Sequence, residues 1–138
     1  MDLQADGLIL QKVPIDEVLA LDHGLARVAY DTADYPRLLG FLLIRDADRV
    51  VVGSLMLERE RRDPTRLWID FAIVKSERRH GYCNKAVACV AAWARKESGA
   101  SRVLAEILDS NVPSQGCAAK AGFVQTEEQG GQIWEYRG

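Results

Sequence analysis

The chain has 138 residues, with 18 Lys and Arg against 20 Asp and Glu and a formal net charge of −2. That length predicts a single domain over residues 1–138, and 48% hydrophobic with 28% charged residues is the balance of a folded protein, which excludes a disordered one. No apolar run approaches the roughly 20 residues of a membrane-spanning helix, and the near-neutral charge gives no support for a nucleic-acid footprint over the whole domain.

Residues 7–13 read as a first strand, ended by Pro14. A helical stretch begins at Ile15 or Asp16, with Val18, Leu19 and Leu21 apolar, and Leu25, Val28 and Ala29 follow His23-Gly24. It reads as two short helices or one broken one. Asp31 to Arg37, with Asp31, Asp34 and Pro36, reads as a loop. Residues 38–45 form an apolar run too short for a buried helix. Asp46-Ala47-Asp48-Arg49 reads as a tight turn into the partner strand at 50–58. Glu58 to Arg66 is a charged loop or strand extension, and 67–74 is a further strand, so an antiparallel meander is predicted.

The period then changes. Residues 82–98 predict a long helix with Val87, Val90, Ala91 and Ala94 on one face and Gly99 as its stop. Residues 102–108 read as a strand. Asn111 opens a short helix with Pro113 in its first turn, and Ala121-Gly122-Phe123 closes it. Residues 123–127 and 132–137 read as a final hairpin around Gly130-Gly131. The strand–helix–strand unit from 67 to 108 predicts a parallel pair with a right-handed crossover. The fold class is therefore mixed α/β (α+β): a mostly antiparallel mixed sheet of six to seven strands with helices on both faces.

The sharpest chemical signal is Arg78-Arg79-His80-Gly81-Tyr82-Cys83, between an apolar strand and the long helix. Such a loop presents unpaired backbone N–H groups at the positive end of a helix dipole, a natural phosphate site. Gly81 permits positive φ or close backbone approach. The plainer alternative is a solvated basic loop. The second signal is Asn111-Val112-Pro113-Ser114 at a helix start, which also reads as an ordinary N-cap.

Taken together, in this order and separation, these pieces resemble the GNAT superfamily of N-acetyltransferases. Arg78, Gly81 and Cys83 fall on its Arg/Gln-x-x-Gly-x-Gly/Ala loop. Asn111, Ser114, Gly122 and Phe123 fall on its Asn-x-x-Ser helix ending in Gly-Phe. The resemblance covers nearly the whole chain and is strongest from 67 to 124. It implies the acyl-CoA N-acyltransferase fold, with a splayed pair of parallel strands and acetyl-coenzyme A as cofactor. The loop from Arg79 to Lys85, including His80, Tyr82 and Asn84, would hold the pyrophosphate. Ile73, Val74 and Lys75 would pair with the pantetheine arm, and Asn111 and Ser114 would face the cofactor.

The implied chemistry is transfer of the acetyl group to a primary amine by direct attack in a ternary complex. It needs a base or a water path, an oxyanion donor and an acid for the departing thiolate. The acceptor stays open between a protein N-terminus, a lysine, a polyamine, an amino acid and an antibiotic amine. A homodimer is compatible with the family.

Three departures from the family pattern stand out. Cys83 replaces Gly or Ala, Lys75 stands where Pro is common, and Ala118 stands where a Tyr often serves as the acid. Asp70 and Ser114 are the candidate catalytic residues. Asp70, among Trp68, Ile69, Phe71 and Ala72, is the candidate base, since desolvation there would raise its pKa. The plainer reading makes it an outward-facing strand carboxylate. Trp68 shares its parity and, with Tyr30 and Asp70, is a candidate for the acceptor pocket. Glu106 could reach the same cleft, and Tyr35, Asp31 and Asp34 could shape its acceptor side.

The three cysteines, Cys83, Cys89 and Cys117, lack metal-ligand spacing, and with two histidines no metal site is expected. Reduced thiols and a cytoplasmic location are the expectation, since the first residues lack the pattern of a secretory signal. The competing functions are a catalytically silent coenzyme A-binding or protein-interaction module and, less consistent with the charge, a nucleic-acid contact through Arg59, Arg61, Arg62 and Arg66.

Overall fold

The period-2 pattern of the first half and the period-3.6 pattern of the second become two kinds of element in the computed structural model, which describes residues 2–19 and 38–138. In chain order these are β1 (Asp2–Ala5), β2 (Leu8–Val13), α1 (Ile15–Leu19), β3 (Leu38–Arg45), β4 (Val51–Arg59) and β5 (Arg66–Ile73). They continue as α2 (Tyr82–Glu97), β6 (Arg102–Glu106), α3 (Val112–Lys120), β7 (Phe123–Gln125) and β8 (Ile133–Tyr136). The predicted helical positions Leu21 to Ala29 and the predicted loop from Asp31 to Arg37 lie outside the described residues.

The strands form one eight-stranded sheet in the order β1-β2-β3-β4-β5-β6-β8-β7. β1 through β5 are antiparallel neighbours, as the meander predicts. β5 and β6 are the parallel pair. The sheet is thus one strand wider than the predicted upper bound. The extra strand is β1, whose Leu3 and Ala5 are only half-buried, so its alternation carries little apolar contrast. The closing hairpin forms as predicted, with its second strand inserted between β6 and β7.

Side-chain parity divides the core into two layers. On one face Phe41, Leu43, Leu55, Leu67, Ile69 and Val103 pack against Val87, Val90, Ala91 and Ala94 of α2. On the other face a smaller cluster joins Ile15 and Val18 of α1 to Leu38 and Met56. α1 lies close because β3 carries Gly40, where a Cβ would stand 2.6 Å from Val18 Cγ2.

One irregularity positions the site. β5 and β6 are paired only at Arg66↔Arg102, Leu67↔Val103 and Trp68↔Leu104. β5 runs on to Ile73 beside β4, and the Val74 N–H donates to the Val52 carbonyl at 2.8 Å. Antiparallel hydrogen bonds alternate along a strand. Because Val74 bonds toward β4, the peptide groups of Phe71 and Ile73 face the other edge, where β6 has parted from β5. This is the splayed parallel pair.

Candidate active site

A short 3₁₀ turn, Lys75–Glu77, leads from β5 to the loop before α2. Gly81 is the N-cap of α2 with φ 77° and ψ 9°, and among the described residues no side chain caps the helix. Arg79 also has positive φ, 71°, a conformation costly for a residue with a Cβ. The first turn of α2 holds no acidic residue. Its leading N–H groups therefore remain available to an anion, at the end where the helix dipole is positive. The Arg78 Nε donates to the Ile73 carbonyl at 3.1 Å, fastening the loop to the open edge of β5.

The loop is also held from behind. Arg45, at the end of β3, donates from Nη1 to Glu77 Oε2 at 2.7 Å and to the Tyr82 hydroxyl at 3.4 Å. Its Nε and Nη2 donate to the two oxygens of Asp48 at 2.8 and 2.7 Å. The hydrogen bond to Asp48, then those to Tyr82 and Glu77, raise the Arg45 pKa above its ordinary value. The same hydrogen bond from Arg45 holds the Asp48 carboxyl below the usual carboxylate range.

The opposing wall is the start of α3. The Asn111 side chain accepts from the Ser114 N–H at 3.3 Å, and Pro113 lies in the first turn. Gln115 Nε2 donates to the carbonyls of Leu108 and Asp109, which ties the helix to the loop that follows β6. α3 is linked to α2 by a disulfide between Cys83 and Cys117, whose Cα atoms are 6.0 Å apart. The expectation of three reduced thiols is thus corrected. The crossover brings together two cysteines 34 residues apart, a proximity that their spacing does not encode. Cys89 is the free cysteine, half-buried against Gln4, and burial pushes its thiol pKa up.

Between these walls lies a cavity of about 630 Å³. Of the predicted cofactor residues it is lined by Ile73, Arg78, Arg79, Gly81, Tyr82, Cys83 and Asn84, and by Asn111 and Ser114 across the gap. Val74, Lys75, His80 and Lys85 flank it without lining it. The Val74 N–H is committed to β4, and Lys85 lies 3.5 Å from Asp6. Phe71, Glu77 and Lys120 also line the cavity and were not singled out from the sequence. Phe71 shares the parity of Ile73, a signal that was legible. Lys120 falls at the far end of α3 and has no local motif.

Asp70 and Trp68 project from the sheet face opposite α2, as shared parity requires, and are partly buried. They are not among the residues lining the cavity. Asp70 nevertheless reaches its rim, since its Oδ1 accepts from the Phe71 N–H at 3.0 Å. Arg66 stacks over Trp68 at 5.5 Å. Glu58 lies opposite Trp68 on β4, and Glu106 projects to the same face from β6, exposed. Ala118 is fully buried in the core. Tyr30, Tyr35, Asp31 and Asp34 lie outside the described residues.

The family model of the acetyltransferase (GNAT) domain matches residues 15–124, and the chain belongs to this family of acyl-coenzyme A-dependent N-acetyltransferases. Solved structures share the fold at low identity. An acetyltransferase of the GNAT family from Bacillus anthracis has a TM-score of 0.69 and 16% identity, covering 99% of this chain and 95% of its own. RimJ from Mycobacterium smegmatis, solved with CoA-disulfide, has a TM-score of 0.70 and 15% identity over 98% of this chain and 83% of its own. A chimeric spermidine N-acetyltransferase from Vibrio cholerae has a TM-score of 0.65 and 12% identity over 94% and 92%. A search of the curated proteins found no match.

The cofactor of the family is acetyl-coenzyme A, and the residues present fit it. An uncapped helix start with Arg78 and Arg79 suits a pyrophosphate. The open edge at Phe71 and Ile73 suits an extended amide-bearing arm. The cavity volume lies within the usual range for small-molecule sites, about 300–1,000 Å³.

Proposed function

We propose that the protein transfers the acetyl group of acetyl-coenzyme A to a primary amine by direct attack within a ternary complex, with a protein N-terminus or a small cationic amine as acceptor. The observation that carries this reading is the single cavity joining the uncapped start of α2 to the unpaired edge of β5. Bound there, acetyl-coenzyme A supplies an activated thioester. The backbone at Gly81–Asn84 and the side chains of Arg78 and Arg79 hold the phosphates. With the Phe71 N–H bonded to Asp70 and the Ile73 carbonyl to Arg78, the Phe71 carbonyl and the Ile73 N–H orient the pantetheine arm in the gap between β5 and β6.

The acceptor approaches from the sheet face that carries Trp68 and Asp70. Glu58, Asp70 and Glu106 bring three carboxylates to that face, beside the Arg66 guanidinium over Trp68, and such carboxylates attract a cationic amine. Asp70, held at the rim by the Phe71 N–H, takes the proton from the amine. Ser114, across the cavity, donates a hydrogen bond to the departing thiolate, and the proton taken up by Asp70 reaches the released coenzyme A through water. The chimeric spermidine N-acetyltransferase of similar fold is named for a polyamine acceptor, in keeping with this choice.

The test is calorimetric titration with acetyl-coenzyme A and, for comparison, dephospho-coenzyme A. A screen of peptides, polyamines, amino acids and aminoglycosides follows, read by thiol release and product mass. Micromolar binding and an acetylated product are expected. Binding without turnover on any amine would replace the catalytic reading with a coenzyme A-binding module. Absence of binding would overturn the site assignment.

A further inference from the structure

A carboxylate on the wall of a phosphate cavity is out of place on electrostatic grounds. Glu77 is such a carboxylate: it lines the cavity beside Arg78, Arg79 and Gly81. Its charge is met by Arg45, which stands 32 residues earlier in the chain. Accepting that the cavity holds the pyrophosphate of the cofactor, we propose that Arg45 is a positioning residue for cofactor binding. It neutralises Glu77 and fixes the loop between β5 and α2 without itself lining the cavity.

The geometry supports a built bracket rather than a chance surface pair. The guanidinium is presented edge-on to Asp48, with Nε and Nη2 on separate carboxylate oxygens at 2.8 and 2.7 Å. Asp48 is fixed in turn by the Val50 N–H at 3.3 Å, and the turn is closed by the Arg49 N–H on the Arg45 carbonyl. That fork leaves Nη1 to bridge Glu77 at 2.7 Å and the Tyr82 hydroxyl at 3.4 Å. Glu77 and Tyr82 are the residues on either side of the segment Arg78–Gly81. One guanidinium thus spans both ends of the phosphate loop. A lysine could not reproduce this, because an ammonium lacks the planar fork. The Arg45 and Glu77 side chains are only 24% and 20% exposed, so solvent screens the pair incompletely.

Binding of acetyl-coenzyme A to wild type, Arg45→Gln, Glu77→Gln and the double variant tests the proposal. Removing Arg45 leaves the Glu77 charge facing the phosphates, and the dissociation constant is expected to rise roughly ten- to hundredfold. The double variant, which removes the stranded charge as well, is expected to recover to within about threefold of wild type. The ratio of Arg45→Gln to wild type is expected to shrink as salt rises from about 0.05 to 0.5 M, because a charge effect is screened.

Unchanged affinity in Arg45→Gln overturns the proposal. So does failure of the double variant to recover, or a loss insensitive to salt, since either marks a purely structural role. Glu77→Gln alone keeps the proposal falsifiable should Arg45→Gln not fold. It is expected to bind at least as tightly as wild type, and weaker binding overturns the charge argument. A wild-type protein that does not bind acetyl-coenzyme A would defeat the cofactor reading itself, which is a distinct result.

Discussion

The cavity is bounded by two helix starts that solve the same physical problem in opposite ways. Each leaves its first N–H groups without intrahelical partners. α3 supplies a partner from its own sequence, with Asn111 accepting from the Ser114 N–H. α2 supplies none: its N-cap is Gly81, in a left-handed conformation, with no side-chain hydrogen bond. α2 is supported from outside, by Arg45 and Asp48 on the β3–β4 turn, while its N–H groups stay open. The capped start spends its donors on its own side chain, although Asn111 and Ser114 still line the cavity. The uncapped start, beside Arg78 and Arg79 and held by distant residues, is the candidate anion site.

The largest expected effect comes from cutting the tie between the two starts. The Cys83–Cys117 disulfide closes a loop over a sequence separation of 34, for which chain entropy predicts about 4 kcal/mol of stabilisation. Reduction should therefore lower the melting temperature by roughly 10 °C or more. Cys117→Ala should show the same loss and no further response to reductant. A melting temperature indifferent to reductant would remove the disulfide from the account of this fold.

Reversing charge at the open start comes next. Arg78→Glu removes a cation from the cavity, releases the Ile73 carbonyl and adds an anion beside the pyrophosphate site. The dissociation constant for acetyl-coenzyme A should rise at least about tenfold, which is about 1.4 kcal/mol. Calorimetry gives the answer directly, and unchanged affinity would contradict the phosphate-loop assignment.

The closed start should respond in the opposite currency. Asn111→Ala removes a side-chain cap and should cost about 1 kcal/mol of stability, whereas Asn111→Asp keeps an acceptor at the same position and should cost much less. Urea unfolding separates the two variants. Equal losses would show that capping is not what Asn111 contributes.

These contrasts also mark what the sequence could reveal. Apart from β1, whose alternation has little apolar contrast, the order of the described elements was legible because each carries its own signal: the alternation of β3 to β5, the apolar stripe of α2, Pro113 and Asn111 at the start of α3. The candidate phosphate loop stands out in the sequence for the same reason, since Arg78, Arg79 and Gly81 are neighbours. Arg45 was not legible, because its partners at the candidate loop, Glu77 and Tyr82, lie 32 and 37 residues away, and its near partner Asp48 reads only as part of a turn. The Cys83–Cys117 link likewise depends on how the crossover from α2 through β6 seats α3. Glu77 carried no signal of its own, because a lone acid before a basic loop reads as solvated until the cavity behind it is known.

The smallest effect distinguishes the two starts by titration. The Asp48 carboxyl is held below the usual carboxylate range, chiefly by its hydrogen bond from Arg45. A carboxyl with a depressed native pKa binds fewer protons folded than unfolded, so its contribution is fully present above the ordinary aspartate value, about 3.9, and fades as pH falls through the native one. Asp48→Asn removes that contribution at every pH. Its urea midpoint should lie below that of wild type near neutrality, and the gap should close as pH falls below about 4. The cap on α3 is an uncharged amide, so the cost of Asn111→Ala should not follow the same course over that range. A gap for Asp48→Asn that is constant with pH would mean that Asp48 acts by shape and not by charge. The support of the open start would then owe nothing to the ion pair that the geometry displays.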